Sequence, residues 1–474
     1  MNKLRKNLII NISYQLVVVL IPLVLAPYVA RTIGADGVGV YSYSFSLASF
    51  FALFGMLGVA NYGNRTIAAC GNDIGKRSTA FWNIWSLQIC CSLIVLAIYA
   101  SYILFFSTKD RIASEIQIII VLCSAIDISW FFFGIEQFQI TVLRNLIVKI
   151  LNVILIFSLV KNKNDLYLYI FIMALGTFLN SALLFLFLRK YIVYVRPRIS
   201  VMREHIKPML VLFFPVIAIS LYKIMDKVMI GGMVETVHSG YYEYAEKIIG
   251  LPGTIITAIG SVMLPRLSAL VGERDNAKVK YLNDITMEVM MFLTIGMAGG
   301  IFCIARDFAP VFFGEEFKAS GDIMMVLAPS VVFQGWANII RTQYLIPNSQ
   351  DKVYVQSAWL GAITNLGLNA LLIPKYYGIG AAIGTFCAEA VVALFQSIKT
   401  KHSLPLGRYL KNTFIYFLPF TVMAMMIGFI KKIIVFEGLL LIMIEILAGA
   451  AAYLICSIPI LTKRYKSIER RSIK

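Results

Sequence analysis

Charged side chains are scarce in this chain: 14% of its 474 residues, where a soluble domain carries about 25%. Acids are scarcer than bases, 25 against 43, and no hydrophilic gap is long enough to fold as a domain of its own. Together these exclude an ordinary water-soluble protein. Histidine numbers only three, and His205, His238 and His402 fall far apart in expected loops, so no metal site is expected from them. The seven cysteines (Cys70, Cys90, Cys91, Cys123, Cys303, Cys387, Cys456) mostly lie inside apolar segments. With no CxxC and no pairing rhythm they indicate neither zinc nor a disulfide framework. GxGxxG, P-loop and nucleophile-elbow patterns are missing as well, so no cofactor and no catalytic residue is expected.

What fills the chain is apolar: 59% hydrophobic residues, a mean hydropathy of +0.80, and 13% aromatics, many of them Phe and Tyr near segment ends. A bilayer core about 30 Å thick is crossed by roughly 20 apolar residues in a helix. Stretches of that length recur at 8–30, 40–62, 80–106, 115–137, 143–160, 166–188, 208–233, 240–264, 284–305, 319–340, 354–373, 377–398, 412–430 and 438–461. The expected fold class is an all-α polytopic membrane protein of about 14 transmembrane helices. The opening MNKLRKNLIINISYQLVVVLIPLVL has the basic start of a signal peptide. Its apolar run is too long and small residues at a cleavage point are missing, so it reads as the first, uncleaved span.

A net charge of +18 would point to nucleic acid in a soluble protein. Here Lys and Arg gather in short loops, where anionic headgroups and insertion topology account for them, and no nucleic acid is expected. With the N-terminus inside, the inner gaps hold about 29 Lys and Arg and the outer gaps about 10. The 189–207 loop and the tail contribute most. Both termini are therefore expected in the cytoplasm.

The same basic loop divides the first six spans from the next six. Gly39-Val40-Tyr41-Ser42-Tyr43-Ser44 opens span 2 as Gly240-Tyr241-Tyr242-Glu243-Tyr244-Ala245 opens span 8, each after a proline-bearing helix. Trp130 precedes Glu136-Gln137-Phe138 as Trp336 precedes Thr342-Gln343-Tyr344. These matches predict two six-helix lobes, 1–195 and 196–411, related by a pseudo-twofold axis along the membrane normal. Residues 412–474 add two further helices and a basic tail.

Ionisable groups stand where lipid is expected. Span 7 carries Lys223, Asp226 and Lys227, and span 8 carries Glu243, Glu246 and Lys247, each set at spacings of three and four on one helical face. An ionised side chain at mid-bilayer costs at least about 2.5–3.5 kcal/mol. Two readings are open: a neutral salt-bridge cluster pinning spans 7 and 8, or a hydrated cavity wall where lysines meet an anion and a carboxylate carries a proton or Na⁺. In the second, Asp226 and Glu246 are the titrating groups, with Glu243 and Asp127 as further ion-coupling candidates. Arg31 stands near the outer end of span 1, and Arg65, Glu136 and Arg144 flank the first lobe's spans as interfacial anchors, the three arginines being cavity cations in the other reading. Asp127 lies midway along an apolar run. Glu288, Glu389 and Glu445 also fall in or near spans, and Glu445 is expected to have a structural or oligomeric role.

Five segments carry a family resemblance. Asp226-Lys227-Val228-Met229-Ile230-Gly231, Gly240 through Lys247, and Met263-Leu264-Pro265-Arg266-Leu267-Ser268 resemble the span 7–8 signature of the polysaccharide flippases of the MOP superfamily. Leu57 through Arg65 is similar to that family's span 2 ending, and Phe133 through Asn145 to its span 4–5 joint. The resemblance is to the repeat-unit (Wzx-type) branch. It implies alternating-access translocation of an undecaprenyl-diphosphate-linked oligosaccharide across the bacterial cytoplasmic membrane, for capsule, O-antigen or exopolysaccharide. It further implies a cationic central cavity (Lys223, Lys227, Lys247, Arg31, Arg65, Arg144), a proton or sodium counter-ion, and contact with polysaccharide polymerase machinery. The span 7–8 cluster is electrically neutral, so the diphosphate needs cations from elsewhere too. Two alternatives stand beside this. A MATE-like cation-coupled exporter would want an acidic, lysine-poor pocket, and a membrane polymerase or glycosyltransferase would want a larger outer loop than the gaps of about 5–15 residues here.

Overall fold

A computed structural model describes residues 2–106, 109–434 and 438–472, with side chains described for 21–106, 109–434 and 438–470. Every regular element among the described residues is helical. Apolar sequence dictates this, because in hydrocarbon each backbone N–H and C=O must find its partner within its own segment. Among the described residues eleven helices are long and apolar enough to cross a membrane, and a bent pair, Glu315–Leu327 with Ser330–Leu345 at 44°, makes up to twelve.

The packing divides the chain into two compact units, Met1–Gly240 and Tyr241–Lys474. The first holds α1 (Asn2–Met56), α2 (Val59–Ala69), α3 (Ile74–Phe105), α4 (Arg111–Ile116), α5 (Ile118–Ile126), α6 (Ser129–Gly134) and α7 (Phe138–Leu159). It continues with α8 (Leu166–Ala182), α9 (Leu184–Leu188) and α10 (Ile199–Met233). α11 (Thr236–Gly272) begins there and runs into the second unit. That unit then has α12 (Asn276–Phe313), α13 (Lys318–Leu327), α14 (Ser330–Ile340), α15 (Asp351–Thr400), α16 (Leu406–Ile415), α17 (Phe417–Ile433) and α18 (Leu439–Ser472). The boundary inferred from sequence repeats lies at 195/196, before α10. The packing boundary lies after α10, because that helix packs on α1, α2 and α3.

Fourteen apolar stretches and twelve crossing elements differ for a local reason. α1 continues past Gly34, whose φ of 73° breaks the helix, and so carries the first stretch and most of the second, which ends in α2. α15 contains two more on either side of Tyr377, at φ 53° and ψ −129°. The chain doubles back there: a Cβ on Gly380 would stand 2.5 Å from the Leu372 carbonyl oxygen. The stretch expected at 115–137 is itself broken into α4, α5 and α6.

The first unit's interior is aromatic at one end, where Phe81, Trp130, Phe131 and Phe132 are fully buried beside Trp82 and Trp85. The side-chain polar atoms of Trp130 and Gln88 are matched. Trp130 Nε1 donates to Gln88 Oε1 at 3.1 Å, and Gln88 Nε2 donates to the carbonyls of Ser124 (2.6 Å) and Asp127 (2.9 Å). Those carbonyls are freed by the break after α5, so one glutamine closes the ladder that the break opens. In the second unit α12 is the central helix, in contact with α13, α14, α16, α17 and α18. The C-terminal helices pack onto it through Phe292, Ile295, Tyr416, Met423, Ile427 and Tyr453.

Candidate functional site

In the first unit, α10 presents Lys223 exposed, Asp226 buried at 1% exposure, and Lys227 half-buried. Asp226 stands seven residues before the end of α10, about 10 Å along the axis. Ile230 and Gly231 lie one turn on, on the same packed side. Gly231 is pressed against the Tyr43 ring of α1, and the Tyr43 and Tyr102 hydroxyls meet at 3.4 Å. The Lys227 carbonyl accepts from Ser239 Oγ at 3.0 Å, which ties α10 to the start of α11.

The other first-unit candidates are dispersed. Arg31 is exposed just before the Gly34 break, and Arg65 is exposed on α2. Arg144 is half-buried on α7, and Glu136 is exposed with φ at 57°. Asp127 sits at the joint between α5 and α6, where its Oδ1 accepts from the Ser129 amide at 2.9 Å. A carboxylate accepting from the amide two residues on makes a turn, which lies just ahead of α6.

In the second unit, Glu243 and Lys247 form an ion pair at 3.2 Å along α11, with Lys247 Nζ 4.6 Å from the centre of the Tyr244 ring. Glutamate four residues before lysine is the favourable order on a helix. Glu246 is half-buried on the same helix. The hydroxyl of Tyr242 meets Thr385 Oγ1 at 3.1 Å, and a polar ladder continues through α15: Asn365 Nδ2 donates to Thr385 Oγ1 (3.2 Å), Asn369 Nδ2 to Asn365 Oδ1 (3.2 Å). These asparagines are fully buried among Ala and Gly.

In a second polar centre of this unit sequence reasoning singled out Glu288 but missed Asp284 and the partners of both. Asp284 on α12 accepts from Tyr409 Oη at 2.7 Å and pairs with Arg408. One turn on, Glu288 accepts from Asn412 Nδ2 and Tyr416 Oη, both at 2.9 Å. The carboxylates are 7% and 5% exposed. A cleft beside Asp284, lined also by Arg464 and Ser467, encloses about 10 Å³, room for one water. The available signal was the four-residue spacing of Asp284 with Glu288 matched by that of Arg408 with Asn412. No group of three His, Cys, Asp or Glu side chains able to hold a metal ion occurs among the described residues.

Long helices interrupted at defined residues, with ionised and amide groups inside apolar spans, define a polytopic membrane protein of transporter architecture. The same fold is seen in a solved structure of the lipid II flippase MurJ in an inward closed conformation. The TM-score is 0.75 and the identity 18%, covering 98% of this chain and 99% of that one. The family model described as polysaccharide biosynthesis protein matches residues 4–271, more than half of the chain, and the protein belongs to that family. It is 26% identical over 278 residues to the "Putative O-antigen transporter" of Shigella dysenteriae, covering 58% of this chain and 68% of that one. To the protein of the same description in Escherichia coli K12 it is 21% identical over 399 residues, covering 82% and 94%.

Proposed function

We propose that this protein is a non-enzymatic flippase. It moves undecaprenyl-diphosphate-linked oligosaccharide repeat units across the bacterial cytoplasmic membrane by alternating access, for capsule, O-antigen or exopolysaccharide assembly. Family membership with near full-length similarity to a protein described as an O-antigen transporter carries the reading. The physical support is Asp226, buried in a membrane helix between two lysines, and the Glu243–Lys247 pair inside α11. Charge at that depth is kept at a cost that packing alone does not require.

Within this reading the lysines Lys223 and Lys227 meet the diphosphate. Lys247 is partly neutralised by Glu243, and Arg31, Arg65 and Arg144 supply further positive charge. Asp226 is the first choice for ion coupling, ahead of Glu243, Glu246 and Asp127, since Asp127 is engaged by the Ser129 amide. The counter-ion is a proton or sodium. Both termini lie in the cytoplasm, and the repeat boundary at 195/196 separates the two six-helix lobes.

The test is complementation of a strain lacking its repeat-unit flippase. Lys223→Ala and Lys227→Ala should each lower surface glycan at least roughly tenfold, equivalent to about 1.4 kcal/mol, at unchanged membrane abundance. Normal glycan in both variants overturns the assignment of these lysines.

A further inference from the structure

Glu445 lies in α18, on the stripe that packs inward: Ile442, Glu445 and Gly449 are all buried, at spacings of three and four. The residue is 0% exposed, and neither carboxyl oxygen has a hydrogen-bond partner. A Cβ on Gly449, one turn further along α18, would stand 2.8 Å from Ile427 of α17. One turn beyond Ile427 is Lys431, so the antiparallel pair brings Lys431 and Glu445 to the same level. Lys431 is already engaged. It pairs with Asp307 of α12, and its Nζ donates to the Cys303 carbonyl at 3.0 Å. The charged groups acting on Glu445 are Lys431 and Asp307, and Lys431 and Glu445 act in turn on the Cys303 thiol of α12.

Two carboxylates and one ammonium carry a net charge of −1 when all are ionised. Asp307 is 44% exposed at its side chain and holds the lysine, so the uncompensated charge would fall on Glu445. An ionised carboxylate in an apolar site without a donor costs far more than taking up a proton. We propose that Glu445, with Asp307 and Lys431, forms a proton-binding site in the C-terminal helices, separate from the ionisable groups of α10 and α11. Glu445 is the acid in it: its carboxylate takes one H⁺ from the aqueous phase and forms one O–H bond. Deprotonation returns that H⁺ and demands that Lys431 turn from Asp307 toward Glu445. The site thus exchanges a proton together with a change in how α17 is tied to α12. The proposal does not depend on the substrate.

The experiment is infrared difference spectroscopy of the full-length protein in nanodiscs, stepped through pH in sodium and in choline buffers. The wild type should show a protonated carboxyl band at neutral pH that Glu445→Gln lacks. Lys431→Met should retain the band to a pH higher by about one unit or more, and Asp307→Asn should lose it at a lower pH. These two variants keep Glu445 and read the site even where Glu445→Gln does not fold. A spectrum unchanged by Glu445→Gln, or shifts of the same sign in both other variants, overturns the proposal. So does a band that appears only when sodium is withdrawn, which would make the occupant a metal cation.

Discussion

Arg408 and Tyr409 both donate to Asp284, a carboxylate that is almost wholly buried. Removing the arginine leaves that charge facing one hydroxyl. Breaking a buried pair from one side costs about 3 kcal/mol or more. Arg408→Ala should therefore lower the thermal unfolding midpoint in detergent clearly, and adding Asp284→Asn should give back part of the loss. Strict additivity of the two would show that they do not interact. Asp275 works at the surface. It opens α12 by accepting from the Lys278 amide at 3.0 Å and pairs with Lys278 Nζ at 2.7 Å. Those bonds to Lys278 hold its carboxyl below the usual aspartate range. A folded value below the unfolded one gives stability that is complete at neutral pH and lost as the pH falls through the folded value. The protection of the Lys278 amide, its exchange measured against the intrinsic rate at each pH, should therefore fall in acid, below about pH 4. Asp275→Asn keeps a capping oxygen and should show no such acid dependence.

Helix crossings explain which sequence signals were readable. The prolines of the first and seventh spans, Pro22, Pro27 and Pro215, lie inside helices that continue past them, while the chain breaks at Gly34 and Tyr377. Proline marks a missing donor but not a change of direction when neighbours re-satisfy the backbone. The Gly39 and Gly240 openings, matched by sequence similarity, have a further use that pattern reading cannot show. A Cβ on Gly240 would lie 2.7 Å from the Ala35 carbonyl and 2.8 Å from the Gly39 nitrogen. α1 and the start of α11 cross there backbone to backbone, which only residues without a side chain permit. Gly240→Val should destabilise by about 1–3 kcal/mol, read as a lower unfolding midpoint. Gly232→Ala, at a position with open space around it, should leave that midpoint unchanged or raise it.

At the scale of the whole molecule, membrane class and helical fold were legible because lipid leaves only one backbone solution and writes it as length. The buried charges of α10 and α11 were legible for the same reason: they interrupt an otherwise apolar text. Their partners were not. Lys247 answers Glu243 on its own helix, whereas Asp284 finds Arg408 after 124 intervening steps along the chain. Spacing encodes the first kind of neighbour and is silent on the second. The turn at Tyr377 carries a consequence for biogenesis. With Lys375, Tyr376 and Tyr377 the only residues between Pro374 and Gly378, the two arms of α15 share almost no hydrophilic connector. They must leave the insertion machinery together, as one preformed hairpin. Neither arm can wait in water for the other.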